Sequence, residues 1–220
     1  MASMNPKTRL DDEKRNVPPA IRKLLEYDVK LTKSFVAFLL NLTPMRSFRT
    51  HCIFLEYSCH GVVWLAGWLA FCWIADNKDL YQMQVNMIVG LIIDIIFVAI
   101  IKAATRRRRP AVNTDIFGIG PDKFSFPSGH ASRAFFVLGF FTILSPLPWF
   151  LWPPMFAWAF SVALSRLILI RHHILDVLAG VLLGLFDVLV LSVVWFGPEF
   201  SAWIMRSISE DNVPGGPESA

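Results

Sequence analysis

Residues 80–101 read LYQMQVNMIVGLIIDIIFVAII, and this stretch decides the class of fold that the chain can adopt. Its length is close to the about twenty apolar residues with which a helix crosses a bilayer. Backbone groups in lipid must find hydrogen-bond partners within the protein, and no strand-like alternation of apolar and polar residues stands out in the sequence. The stretch therefore predicts an all-α integral membrane protein.

Four more apolar stretches surround this one and predict a helical bundle of about five transmembrane helices. They are residues 52–75, 131–144, 149–170 and 174–196. The short link at residues 76–79 makes the first two spans an antiparallel hairpin. Asp94 lies inside the second span, where a carboxylate is costly unless it faces other helices or water. A polar packing contact explains Asp94 at least as well as a catalytic role.

Composition agrees with a largely lipid environment. Hydrophobic residues make up 55% of the chain and charged residues 17%, against roughly 25% charged residues in soluble proteins. The three cysteines, Cys52, Cys59 and Cys72, match no zinc or disulfide pattern and are expected to be small core residues. Outside the spans, residues 1–20 are predicted to be a disordered polar tail.

Two further segments complete the predicted organisation. Residues 21–44 are expected to form an amphipathic helix at the membrane interface, because charges among its apolar residues argue against a full span. Residues 52–196 are expected to form the membrane-embedded domain, and residues 197–220 a mostly disordered tail.

The stretch LSRLILIRHHILD at residues 164–176 carries the first chemical signal. His172 and Asp176 are four residues apart and share a face if the chain is helical there. A carboxylate on one imidazole nitrogen leaves the other nitrogen basic and correctly aimed for nucleophilic attack. Arg166 adds a forked cation that suits phosphate oxygens. The alternative is a His–Asp pair that only caps a membrane helix.

The sequence PSGH at residues 127–130 is expected to start a helix with an anion site. Ser128 is a good N-cap, and Gly129 lets backbone N–H groups approach an anion closely. His130 would stand beside that anion and exchange a proton with it near neutral pH. Many helices start this way, so the motif alone is a weak signal.

The third signal is KAATRRRRP at residues 102–110. Lys102 and Arg109 are seven residues apart and would clamp a phosphate from one face if the helix continues to Pro110. Residues 106–108, three further arginines, are expected to contact lipid headgroups, although one of them could reach a second phosphate.

The number of predicted spans between them places all three stretches at the same membrane face. Cations around a helix start suit phosphoryl transfer, since they stabilise charge on the equatorial phosphate oxygens. No carboxylate cluster in the sequence suits Mg²⁺, so neither a metal nor a cofactor is predicted. His172 would attack phosphorus, His130 would protonate the leaving oxygen, and water would then release phosphate.

In these three motifs the chain resembles the lipid phosphate phosphatases of the type 2 phosphatidic acid phosphatase superfamily. The motifs are K-x6-R-P from Lys102, P-S-G-H from Pro127 and S-R-x5-H-x3-D from Ser165, complete and in order. The resemblance implies that residues 52–196 form a phosphatase domain that is metal-independent and acts through a phosphohistidine intermediate. It implies that Lys102, Arg109, Ser128, Gly129 and Arg166 bind phosphate, while His172 is the nucleophile, Asp176 its partner and His130 the acid.

Around the first two motifs the sequence is most similar to the polyisoprenoid diphosphate phosphatases, the branch that includes presqualene diphosphate phosphatase. That similarity implies presqualene, farnesyl and geranylgeranyl diphosphate as substrates, and residence in the endoplasmic reticulum and nuclear envelope. Membrane lipids are expected partners, and nucleic acid is not.

Several alternatives stay open at this point. They are a broad phosphatidate or sphingoid phosphate phosphatase, a non-catalytic protein that binds lipid phosphates, a glucose 6-phosphatase-like enzyme and a vanadate-dependent haloperoxidase.

Overall fold

The computed structural model describes residues 18–42, 45–107, 109–110 and 124–210, and this part of the chain folds into α-helices joined by short links. Most of the tail predicted at residues 1–20 lies outside the described residues. The α-helices are α1 (Pro19–Leu42), α2 (Met45–Ser58), α3 (Gly61–Ile74), α4 (Tyr81–Thr105), α5 (Gly129–Gly139), α6 (Trp152–Ile168), α7 (Ile174–Val193) and α8 (Pro198–Glu210). A π-helical turn, Phe140–Leu144, continues α5, and a 3-10 turn, Trp149–Leu151, leads into α6.

Three helical segments in the described part are long and apolar enough to cross a membrane. They are α4, α7 and Trp149–Ile168, which is α6 with its leading turn. The predicted span at residues 52–75 is instead a pair of helices, Arg49–Ser58 and Gly61–Ile74, bent by 51°, which could form a fourth span. Gly129–Leu144 is shorter than these. The prediction of an all-α membrane protein is confirmed, and two of the five predicted spans have a different form.

The helix α5 is shorter because it lies inside the bundle. Its side chains from Ala131 to Gly139 are all buried, and it packs against α4, α6 and α7. Phe136 and Phe140 on this helix segment are fully buried with Met87, Leu91 and Leu191. A helix surrounded by protein does not need to match the thickness of the lipid, so its length is set by its neighbours.

Two glycines on α7 allow a close approach between α5 and α7. A Cβ atom at Gly180 would overlap the backbone carbonyl of Ser128, and one at Gly184 would overlap that of Ser132. The four-residue spacing is the small-xxx-small pattern that lets membrane helices pack backbone to backbone. Since Ser128 caps α5, this contact also determines where the PSGH motif lies.

Gly184→Ala is expected to lower the thermal unfolding midpoint of the detergent-solubilised protein by several degrees, because the new methyl group forces α5 and α7 apart. Gly67→Ala is the matched control, since a Cβ there meets no atom within 4 Å. Both changes share the intrinsic gain in helix propensity of about 1 kcal/mol. A midpoint equally raised in both variants would contradict the close packing at Gly184.

The bend between α2 and α3 also has an identifiable cause. Arg133 on α5 donates a hydrogen bond from Nη1 to the carbonyl of Cys59 at 3.2 Å, so this backbone group is bound by another helix. A Cβ at Gly61 would lie 3.1 Å from the same guanidinium group. The chain therefore changes direction around the Arg133 side chain.

The terminal segments both contain helices. On α1, Asp28, Thr32 and Val36 recur every four residues and are buried against α6 and α7, while Leu24 and Leu31 on an adjacent face are exposed. This helix is amphipathic as expected, and its position at the membrane interface stays a prediction.

The sequence predicts a mostly disordered tail at residues 197–220, but α8 forms within it and packs on α4. Pro198 is fixed in a conformation suited to a first helical turn, and Glu199 complements the helix dipole, which accounts for the helix start.

Candidate active site

The three chemical stretches meet in the folded chain. The backbone N–H of Ser128 donates to the carbonyl of Asp176 at 2.9 Å, which joins the start of α5 to the first turn of α7. The backbone N–H of Ser125 donates to the carbonyl of Arg107 at 2.7 Å, which joins the end of the arginine run to the approach to α5. The predicted proximity of the motifs is therefore present in the structure.

His172 lies between α6 and α7 and is only 2% exposed. Its Nδ1 atom is 2.7 Å from the carbonyl oxygen of Ser125. A carbonyl only accepts hydrogen bonds, so Nδ1 carries the proton and Nε2 keeps a free lone pair. The nearest Asp176 oxygen is 3.9 Å from Nδ1, which is too long for a hydrogen bond. The group that orients the imidazole here is the Ser125 carbonyl, which the sequence interpretation did not identify.

The ionisation of His172 follows from its surroundings. Burial lowers its pKa well below the ordinary value, because the charged imidazolium loses its hydration. Arg109, Lys102 and Arg166 also lower the pKa by repelling a second positive charge, and Asp176 opposes them. The imidazole is therefore neutral at neutral pH and lies among three of the cations predicted from the motifs.

Asp176 is fully buried and has other partners. Its Oδ2 accepts a hydrogen bond from the backbone N–H of His173 at 2.9 Å and lies 3.3 Å from His173 Nδ1. Its Oδ1 pairs with Arg107 Nη1 at 2.6 Å. His173, which is not one of the motif residues, is thus the N-cap of α7 and shares a capping box with Asp176.

The arginine run departs from the sequence prediction in two ways. The helix α4 ends at Thr105, and Arg106 adopts a left-handed conformation that closes it with an N–H bond to Lys102 O. Lys102 and Arg109 therefore do not share one helix face, and the prediction of a helix up to Pro110 was wrong. Arg107, which the sequence predicted to lie at lipid headgroups, instead bridges Asp28 and Asp176 with a side chain that is 13% exposed.

Arg166 is held in place by two groups. Its Nη1 pairs with Glu56 of α2 at 2.7 Å, and its Nε and Nη2 donate to Ser165 Oγ at 3.2 and 3.1 Å. Ser165 Oγ in turn donates to the carbonyl of Val162. Glu56 belongs to the first apolar stretch, and sequence reasoning did not connect it with Arg166, which lies 110 residues further along.

His130 occupies the first turn of α5, next to the capping residue. Ser128 Oγ accepts a hydrogen bond from Ala131 N at 3.4 Å, as an N-cap does. A Cβ at Gly129 would lie 3.2 Å from Val98, so the glycine lets the helix start pack against α4. The Nε2 atom of His130 is buried and has no hydrogen-bond partner among the described residues. It is an available proton donor or acceptor beside the cations around His172.

Asp94 belongs to a polar cluster deeper in the bundle. Its Oδ2 pairs with Arg133 Nη2 at 2.7 Å, and its Oδ1 accepts from Ser132 Oγ at 2.5 Å. Asp187 Oδ2 lies 3.4 Å from the same hydroxyl. These contacts favour the interpretation of Asp94 as a packing residue, since a buried carboxylate needs such a partner.

Comparisons with known proteins identify relatives of this chain. A probable lipid phosphate phosphatase beta of Arabidopsis thaliana is 38% identical over 142 residues, covering 51% of this chain and 66% of that protein. A decaprenylphosphoryl-5-phosphoribose phosphatase of Mycobacterium tuberculosis is 43% identical over 93 residues, covering 39% of this chain and 46% of that protein. The matches thus cover less than two thirds of these relatives.

A solved structure shares the fold. The crystal structure of Aquifex aeolicus LpxE superposes with a TM-score of 0.55 at 20% sequence identity, covering 74% of this chain and 93% of that one. The family model of the PAP2 superfamily matches residues 84–199, just over half of the chain. This range contains all eight residues of the three motifs named above. The chain therefore belongs to the PAP2 superfamily.

Proposed function

We propose that this protein hydrolyses phosphate from lipid phosphates through a phosphohistidine intermediate on His172. The observation that carries the proposal is the hydrogen bond from His172 Nδ1 to the Ser125 carbonyl. It leaves Nε2 unprotonated on an imidazole that burial keeps neutral and on which the positive charges of Arg109, Lys102 and Arg166 act. A nucleophile surrounded by cations suits attack on a phosphate, whose charge would otherwise repel it.

In the first step, the Nε2 lone pair of His172 attacks phosphorus, and the bond from phosphorus to the lipid oxygen breaks. Lys102, Arg109 and Arg166 stabilise the equatorial oxygens, with the N–H groups at the start of α5. His130 acts here as the imidazolium, which the negative charge of the bound substrate stabilises, and its Nε2 gives a proton to the leaving oxygen. The imidazole becomes a phosphorylated cation that still carries its Nδ1 proton, and the charge of Asp176 favours that cation.

In the second step, water attacks the same phosphorus atom. His130, now unprotonated at Nε2, takes a proton from the water as its oxygen bonds to phosphorus. The nitrogen–phosphorus bond breaks, phosphate leaves, and His172 Nε2 regains its lone pair. Both histidines return to their starting states, so the cycle needs no other reactant.

A groove on α3 supports a substrate with a hydrocarbon tail. Its volume is about 390 Å³, and it is lined by Ser58, Val63, Trp64, Gly67, Trp68 and Phe71. Ser58 in this lining precedes Cys59 in the chain, and the thiol of Cys59 lies 3.3 Å from the His130 carbonyl. A tail in this mostly apolar groove would hold the phosphate next to His130, which a soluble sugar phosphate could not exploit.

Within this class, isoprenoid diphosphates such as presqualene, farnesyl and geranylgeranyl diphosphate are the proposed substrates, with the endoplasmic reticulum and nuclear envelope as the proposed location. One support is that the sequence around the first two motifs resembles the polyisoprenoid diphosphate phosphatases. The other is a relative named as a decaprenylphosphoryl-5-phosphoribose phosphatase. The Arabidopsis relative, named as a lipid phosphate phosphatase, favours a second candidate, a phosphatase with broader lipid specificity.

The test is phosphate release by detergent-purified protein from farnesyl diphosphate, phosphatidate and glucose 6-phosphate, each with EDTA in excess. We expect release from the lipids to survive EDTA, with farnesyl diphosphate fastest and the sugar phosphate slowest. Equal rates for farnesyl diphosphate and phosphatidate would select the broad phosphatase. Release that stops with EDTA would contradict the metal-free mechanism, and no release from any substrate would favour a non-catalytic binding protein.

A further inference from the structure

One arginine contacts groups on both sides of the proposed nucleophile. The backbone carbonyl of Arg107 accepts a hydrogen bond from Ser125 N at 2.7 Å, and the Ser125 carbonyl is the group that holds His172 Nδ1. The side chain of Arg107 pairs through Nη1 with Asp176 at 2.6 Å. The position of Arg107 therefore affects both the acceptor for His172 and the carboxylate beside it.

The other half of this guanidinium group is held by α1. Arg107 Nη2 pairs with Asp28 Oδ2 at 2.6 Å, and the Asp28 side chain is 2% exposed. Asp28 lies on the amphipathic helix, 79 residues before Arg107, and outside the residues that match the family model. Two carboxylates, Asp28 and Asp176, thus bind opposite ends of one cation in a buried setting.

Loss of the Asp28 charge would change the forces on the site. Without that charge, the Nη2 group of Arg107 is a buried donor that has lost its charged partner. This costs free energy, which the side chain can recover by moving. Movement of Arg107 would release Asp176, whose Oδ2 is only 3.9 Å from His172 Nδ1. Asp176 could then compete with the Ser125 carbonyl for the Nδ1 proton and turn the imidazole.

We infer that Asp28 is a positioning residue of the active site, acting through Arg107 to keep His172 oriented by the Ser125 carbonyl. The inference rests on the proposed function, in which His172 is the nucleophile. It makes α1 part of the catalytic structure, acting through Arg107.

A purely structural role for α1 is the competing explanation, and the chain offers a control for it. Asp28 Oδ1 accepts a hydrogen bond from Leu175 N, and Thr32 Oγ1 accepts one from Ile174 N, both at 3.1 Å. Both contacts cap α7 from α1, but only Asp28 also reaches Arg107. Thr32→Val removes a capping contact without touching the ion pair, whereas Asp28→Asn keeps an oxygen for Leu175 and removes the charge.

In the assay with EDTA, Asp28→Asn is expected to lower kcat by about 10-fold and to change KM by less than about twofold, because misplacement of a reacting group slows the chemical step. Thr32→Val is expected to keep the wild-type kcat. Arg107→Gln should lower kcat, and the double variant with Asp28→Asn should be no slower than Arg107→Gln alone. A wild-type kcat in Asp28→Asn, or losses that multiply in the double variant, would overturn the inference.

A second measurement does not depend on turnover. In protein labelled with ¹⁵N-histidine, the His172 signal, identified by its loss in His172→Gln, should show the Nδ1–H tautomer in the wild type and in Thr32→Val. Asp28→Asn should shift that signal towards a mixture of tautomers. An unchanged signal would overturn the inference. If the wild type releases no phosphate, the proposed function fails, while this spectrum still decides whether Asp28 positions His172.

Discussion

His172→Gln is expected to lower phosphate release from farnesyl diphosphate by on the order of 10³-fold or more, since removal of a nucleophile leaves only the binding contribution of the site. Glutamine keeps a side chain that can donate to the Ser125 carbonyl but has no nucleophilic nitrogen. His51→Gln is the control, because His51 is exposed on α2. Equal release by His172→Gln and wild type would remove His172 from the mechanism.

The pH profile gives an independent check on the same residue. Only the neutral imidazole is nucleophilic, so activity is lost as pH falls through the pKa of His172 in the folded protein. Burial lowers this pKa, and the guanidinium of Arg109 lowers it further. The wild type should therefore keep its rate at about pH 6.5, where an ordinary histidine is half protonated. A rate already halved at that pH would contradict the lowered pKa of His172.

The sequence predicted correctly that the three motifs lie together, because this depends only on how many times the chain crosses the membrane between them. The motifs around Lys102, His130 and His172 each end or begin an apolar stretch, so counting the stretches between them placed all three at one face. The distance of 2.9 Å from Ser128 N to Asp176 O shows the same result in the fold. This prediction did not require the helix ends to be known.

Helix ends and backbone groups were harder to predict. The argument for Lys102 and Arg109 assumed a continuous helix, but Arg106 takes a left-handed conformation at φ 50° and ends α4. The role of the Ser125 carbonyl could not be predicted, because every residue has a backbone carbonyl and the amino-acid type at position 125 does not show which one binds His172. In contrast, α8 had a signal, Pro198 followed by Glu199, which the polar composition of the tail concealed.

The sequence interpretation also did not identify ion pairs between residues that are distant in the chain. Arg107 stands among four consecutive arginines, and nothing in the sequence distinguishes it from Arg106. Asp28 was interpreted only as a charge that argues against a membrane span. Their pairing arises because α1 packs against α6 and α7, so that Asp28 reaches the first turn of α7. Such a contact depends on tertiary packing, which a single sequence does not reveal.

His130→Gln is expected to slow hydrolysis of a lipid phosphate by about 10²–10⁴-fold, because the leaving alkoxide then departs without a proton. The buried, unpartnered Nε2 of His130 is the observation behind this expectation. A nitrophenyl phosphate should behave differently, since nitrophenolate is a stable anion that leaves unprotonated. Its first turnover should stay fast, and the second step, which needs His130 as a base, should become slow.

For His130→Gln we expect a burst of nitrophenolate equal to the amount of enzyme, followed by a slow steady rate. Phosphate should be retained on His172. Rapid mixing measures the burst, and acid-labile, base-stable phosphate on the protein identifies the phosphohistidine. His60→Gln is the matched control, because the rings of His60 and His130 are neighbours with centroids 6.1 Å apart. An equal loss for both leaving groups in the first turnover would assign His130 to phosphate binding instead of proton transfer.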